Sequence, residues 1–102
     1  MSTAYTLLTV VQAADLEAAH EIELGFREVV HHLHEEPGYE RSALLTEEND
    51  CLVMLLTIWT NPAQAELYRC SPLYQLILSS IQPRIVGAPV VRIFKQYAEG
   101  AE

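Results

Sequence analysis

The stretch "CLVMLLTIW", residues 51–59, constrains the fold more than any other part of the chain. As a strand it sends Leu52, Met54, Leu56 and Ile58 to one face, and Cys51, Val53, Leu55, Thr57 and Trp59 to the other. Both faces are apolar. A strand with one side in water alternates apolar and polar residues, whereas one covered on both sides reads as a continuous apolar run. The sequence must therefore provide cover for two faces of a sheet.

The first strand is expected at Tyr5–Gln12, followed by Asp15 as a helix cap. Leu16, Ala19, Ile22, Phe26, Val29, Val30 and Leu33 then recur at helical spacing and form one apolar stripe. "EEPGY" ends that helix, because Pro37 disfavours helical geometry in Glu36 and Gly38 releases the chain into a turn. A second strand over Tyr39–Thr46 and the third over Cys51–Trp59 flank the polar "EEND", a hairpin connection.

Two short helices follow. Asn61 and Ser71 are good N-caps, each followed by a proline at the first helical position, and Gln64 stands where a capping-box partner belongs. The second of these helices runs to Pro83, and "VVRIFKQY" closes the chain as a strand. The order βαββαβ, with the second α in two pieces, is the ferredoxin-like split motif: α+β, with a four-stranded antiparallel sheet. Right-handed crossovers put all the helices on one side of that sheet. A second copy of the chain is the simplest cover for the other side. The alternative is a central strand that tolerates apolar residues on a partly wet face.

The chain has 102 residues and 50% hydrophobic content, which suits one domain, 1–102, with a compact core. A formal charge of -8, from 14 acidic and 6 basic residues, repels a phosphate backbone, so nucleic acid is not an expected partner. Its apolar runs fall short of the about 20 residues that span a bilayer, and "MSTAYTLLTVVQAAD" lacks the basic start of a signal peptide. The expectation is a cytoplasmic protein with no membrane association. Cys51 and Cys70 are too few for a disulfide framework or a zinc site and read as buried thiols.

"EPGYERSALL", then "IWTNPAQAELYRCSPLYQLI", then "GAPVVRIFKQY" together resemble the antibiotic biosynthesis monooxygenase domain family, small dimeric α+β barrels. The resemblance extends from about Val29 to Tyr97. It carries the Glu-Pro-Gly before the second strand, a Trp closing the third, the Ser-Pro pair followed by an aromatic, and a valine-rich last strand.

One branch of that family oxidises anthrone-like polyketides to quinones without a cofactor. Its pocket lies between the sheet and the helices. The resemblance maps the residues of that pocket to Gln64, Tyr68, Tyr74 and Arg84, with Trp59 as the strand-end tryptophan. Gln64 stands where an Asn is usual, and Tyr68 replaces a Trp. A haem-degrading branch fits less well. "AYTLLTVVQ" has no Asn, Tyr68 occupies a Trp place, and an apolar residue near Leu78 stands where the haem-ligating His belongs.

The chemistry so implied needs no metal or flavin, provided the substrate itself loses a proton and delivers an electron to dioxygen. The protein then excludes water, fixes the ring system and stabilises the phenolate or enolate. Tyr68 and Tyr74 offer hydroxyl donors on apolar bodies, and Arg84 a permanent cation; the ordinary readings, which stand beside these, are amphipathic tyrosines at a helix edge and a solvated arginine after a helix. Trp59 offers a ring face, although its ordinary reading is a core tryptophan.

The histidines of "VVHHLHEE" read as surface or cap residues and not as a metal site. His34, at the border of the apolar stripe, is the one within reach of the pocket as a general base. The leading expectation is a homodimeric, cofactor-free monooxygenase of a small aromatic, anthrone- or quinol-like substrate. The alternatives are a non-catalytic small-ligand-binding or stress-associated dimer, or a cyclase or isomerase of polyketide-like substrates.

Overall fold

The computed structural model describes residues 3–47, 49 and 51–97. The elements are β1 (Thr3–Gln12), α1 (Leu16–Leu33), β2 (Tyr39–Glu47), β3 (Leu52–Trp59), α2 (Pro62–Arg69), α3 (Pro72–Ile81), a 3-10 turn (Gln82–Arg84) and β4 (Val90–Tyr97). The strands form an antiparallel sheet in the order β2-β3-β1-β4, the ferredoxin-like arrangement expected from the element order.

Each helix starts where a side chain takes over a free backbone donor. Asp15 Oδ1 accepts from the Ala18 N–H at 2.8 Å, Asn61 Oδ1 from Ala63 at 2.7 Å, and Ser71 Oγ from Tyr74 at 3.2 Å. Pro62 and Pro72 occupy first-turn positions, where a missing N–H removes no helical bond. β3 begins at Leu52, one residue later than expected, because Cys51 adopts φ 55 and belongs to the β2–β3 turn.

The α1 stripe buries Ile22, Phe26, Val29 and Leu33 against one face of the sheet. Burial along β3 then alternates: Val53, Leu55, Thr57 and Trp59 are buried beneath the helices, while Leu52, Met54, Leu56 and Ile58 are half-buried on the open face. The register continues that open face sideways. Leu8 and Ala43 flank Leu56, Val10 and Leu45 flank Met54, and Val90 lies beyond Val10. Leu45, Val90 and Phe94 are exposed. The sheet thus has one face covered by helices and one apolar face open, the two-sided character of "CLVMLLTIW" made spatial.

Candidate functional site

Trp59 ends β3 on the helix-covered face, and its indole N–H donates to Thr57 Oγ1 at 2.8 Å on the same face two residues back. Tyr68 lies in the last turn of α2 and Tyr74 in the first turn of α3. The chain reverses between them through backbone bonds from Cys70 N–H to the Glu66 carbonyl (3.1 Å) and from Ser71 N–H to the Tyr68 carbonyl (2.9 Å). That tight break brings the two tyrosine rings to 5.0 Å, edge to face, although a continuous helix would place residues six apart about 120° from each other around its axis and more than a turn and a half along it. Tyr68 also stacks on Trp59, with centroids 5.2 Å apart and planes 29° from parallel.

The cluster extends outward through Tyr39, which meets Trp59 edge-on at 5.6 Å, and from Tyr39 to the exposed His34 at 5.8 Å. A β-bulge makes this possible. Tyr39 pairs with Trp59 but Arg41 pairs with Ile58, so Glu40 is an extra residue in β2. Without it, Tyr39 and Ser42 would point to opposite faces. With it, both face the helices, and the Tyr39 hydroxyl donates to Ser42 Oγ at 3.0 Å.

The turn leading into Tyr39 is equally tight. Gly38 has φ 82, and a Cβ there would stand 3.0 Å from both Cβ and Cγ of Gln64. The half-buried Gln64 therefore packs on the backbone of the α1–β2 turn.

The two buried tyrosine hydroxyls differ. Tyr74 Oη lies 2.6 Å from Thr9 Oγ1, in a bond across which either group can donate. Burial raises the pKa of Tyr74 above the usual phenol range, partly offset by the Thr9 bond and the positive field of Arg69. Tyr68 is 4% exposed, and its hydroxyl is buried with no hydrogen-bond partner among the described residues. Burial, reinforced by Tyr74, Tyr39 and Glu36, drives its pKa up strongly. Both phenols stay protonated through neutral pH. They are hydrogen-bond donors, not bases.

Of the residues expected from sequence, the structure brings together Trp59, Tyr68 and Tyr74, with His34 at the outer end of the ring series. Gln64 stands beside the turn at Gly38. Arg84 lies elsewhere: it is exposed, donates to the Ser80 carbonyl at 3.2 Å, and lines a surface cleft with Asp15, Glu17 and Glu21. The cation whose field reaches Tyr74 is Arg69, held by the Glu66 carboxylate in two bonds of 2.8 and 2.6 Å.

Sequence reasoning missed Thr9 and Tyr39. Thr9 could have been noticed as a hydroxyl between Leu7 and Val11 on the apolar face of β1, because a buried hydroxyl requires a partner. The rings of the aromatic cluster pack directly on one another, and two open clefts lie away from it. One, of about 460 Å³, runs between α1 and the β2–β3 hairpin past His20, Glu23 and Cys51; another, of about 460 Å³, lies between α3 and residues 85–89.

No protein-family model and no curated protein matches the chain. Solved structures do. A crystal structure of an antibiotic biosynthesis monooxygenase superposes with a TM-score of 0.75 at 14% identity, over 91% of this chain and 98% of that one. Rv0793 from Mycobacterium tuberculosis gives 0.79 at 11% identity, over 94% and 97%. SnoaB from Streptomyces nogalater, a cofactor-independent oxygenase, gives 0.72 at 16% identity, over 96% and 95%. The fold is the α+β arrangement that these proteins share. At such identities the likeness is one of fold, and what the site does must be argued from its own residues.

Proposed function

We propose that this chain is a cofactor-independent monooxygenase that oxidises an anthrone- or quinol-like small molecule with dioxygen in the aromatic interior between the sheet and the helices. The observation that carries this reading is the Tyr68 hydroxyl, buried between Trp59 and Tyr74 without a hydrogen-bond partner among the described residues. A core that only packs has no use for that oxygen, since leaving a buried hydroxyl unpaired costs about 1–3 kcal/mol and phenylalanine would avoid the loss. A ligand oxygen that accepts from Tyr68 restores the missing bond. The fold shared with SnoaB, itself a cofactor-independent oxygenase, supports the same class of chemistry.

In this proposal a planar substrate parts Tyr68 from Trp59 and is held between ring faces. Its ionised form, a phenolate or enolate, accepts from Tyr68 and, with Thr9 donating to Tyr74, from Tyr74 as well. One electron passes from the substrate anion to dioxygen, and the two radicals combine at the ring carbon as a peroxide. Loss of water leaves a carbonyl, so one oxygen atom enters the product and the other departs as water. Raised phenol pKa values suit Tyr68 and Tyr74 to stabilise the anion without surrendering their own protons. Arg84 is not assigned to this site.

The same reading takes the open sheet face as a homodimer interface. Leu8, Val10, Leu45, Leu52, Met54, Leu56 and Ile58 form a continuous apolar surface there, and at about 25 cal/mol per Å² a few hundred Å² of it is worth several kcal/mol.

Oxygen uptake with an anthrone in chelator-treated buffer tests the activity. The expected result is consumption of dioxygen with one labelled oxygen atom in the quinone, and its loss in Tyr74→Phe. Strict dependence on added metal or flavin contradicts the proposal. Recovery of the aromatic compound unchanged, despite a raised melting temperature, indicates a binding protein on the same scaffold.

A further inference from the structure

Five rings succeed one another from the interior to the surface: Tyr74, Tyr68, Trp59, Tyr39 and His34. Their consecutive centroid distances are 5.0, 5.2, 5.6 and 5.8 Å. Trp59 is the only tryptophan of the chain. Tryptophan and tyrosine are the side chains most readily oxidised by one electron, apart from the sulfur residues, and rings in van der Waals contact exchange electrons quickly. We propose that Trp59 and Tyr39 form a relay that carries a one-electron oxidising equivalent from the aromatic interior to the phenol of Tyr39 at the surface.

The hydroxyl environments set the direction. A phenol gives up an electron easily only if its proton can leave at the same time. Tyr68 has no acceptor among the described residues, and burial holds its proton tightly. Tyr74 faces the Thr9 hydroxyl, itself 1% exposed, so a proton passed there has no route onward. Tyr39 donates to Ser42 Oγ in a half-buried position. Of the three tyrosines in the series, Tyr39 alone combines an acceptor with access to water.

The step balances as follows. A radical cation at Trp59 takes an electron from Tyr39, the Tyr39 phenolic proton passes to Ser42 Oγ as the Ser42 hydroxyl proton passes to water, and the products are neutral tryptophan, a neutral tyrosyl radical and a hydrated proton. The oxidising equivalent enters from a strong one-electron oxidant of the alkoxyl-radical class, formed when the O–O bond of an organic peroxide breaks homolytically; it takes an electron from Trp59 and a proton from water and leaves as the alcohol. The relay is a property of the protein's own rings and does not depend on the proposed oxygenase activity.

Trp59 is its own trigger. Light absorbed by tryptophan but not by tyrosine, with a cobalt(III) pentaammine complex as irreversible electron acceptor, makes the Trp59 radical in the ligand-free protein, and transient absorption follows it. The expected result is decay of the tryptophan radical with a matching rise of tyrosyl radical. That rise should be lost and the tryptophan radical prolonged in Tyr39→Phe, with Tyr68→Phe and Tyr74→Phe unchanged. Ser42→Ala, which keeps every ring and removes only the acceptor, should slow the transfer. A tyrosyl rise that survives in Tyr39→Phe, or its absence from the unmodified protein, overturns the proposal.

Discussion

Tyr74 and Thr9, 65 residues apart in the chain, are joined by a 2.6 Å hydrogen bond that ties the start of α3 to the middle of β1, while Tyr68 six residues earlier has a hydroxyl with no such partner among the described residues. The two tyrosines therefore answer differently to the same substitution. Tyr74→Phe strands the buried Thr9 hydroxyl and is expected to lower stability by about 1–3 kcal/mol, whereas Tyr68→Phe removes an unpaired oxygen and should be neutral or stabilising. Urea unfolding of the two variants checks the contrast.

Alkaline titration should show the same pair. The folded-state pKa values of Tyr68 and Tyr74 are raised by burial, so the unfolded chain releases those protons first, near the ordinary phenol value of about 10. Their contribution is fully present below that pH and is lost as pH rises through the folded values. Tyrosinate absorbance is expected to show these two among the five tyrosines ionising only as the protein unfolds, and stability should fall above about pH 10.

Gly38→Ala is expected to destabilise the protein by more than about 1 kcal/mol. The new Cβ meets both a left-handed backbone and the Gln64 side chain at 3.0 Å. Adding Gln64→Ala removes Cγ but leaves Cβ and the strain, so the double variant should recover only part of the loss. Thermal melts of the single and double variants check this.

The proposed dimer has an equally direct check. Leu56, central on the open face and flanked by Leu8 and Ala43, is replaced by lysine in one variant. Sedimentation should show a dimer for the unmodified protein and a monomer for Leu56→Lys. A monomer in both removes the interface from the account.

The fold was legible because local signals agreed. The Asn-Pro and Ser-Pro starts, the α1 stripe and the two-sided apolar run of β3 each fix an element, and together they leave one strand order with all the helices on a single face. The meeting of Trp59, Tyr68 and Tyr74 could also be anticipated, since a strand end and a helix break hold them in sequence order. What could not be anticipated depends on pairing at long range. Thr9 acquires its role only once β1 lies beneath α3, and Tyr39 only because the bulge at Glu40 turns it toward Trp59. Only the resemblance puts Arg84 at the site, and no spacing or pattern of this sequence does so. In the structure, the 3-10 turn after α3 sends it to the surface by Asp15 instead.

The most direct test of the central claim, that the Tyr68 hydroxyl awaits a ligand, uses the emission of Trp59 stacked against it. Titration with an anthraquinone, the product class of the proposed reaction, should change that emission saturably, with affinity about tenfold weaker in Tyr68→Phe because one hydrogen bond is missing. Emission that never changes, or an affinity identical in the variant, contradicts it.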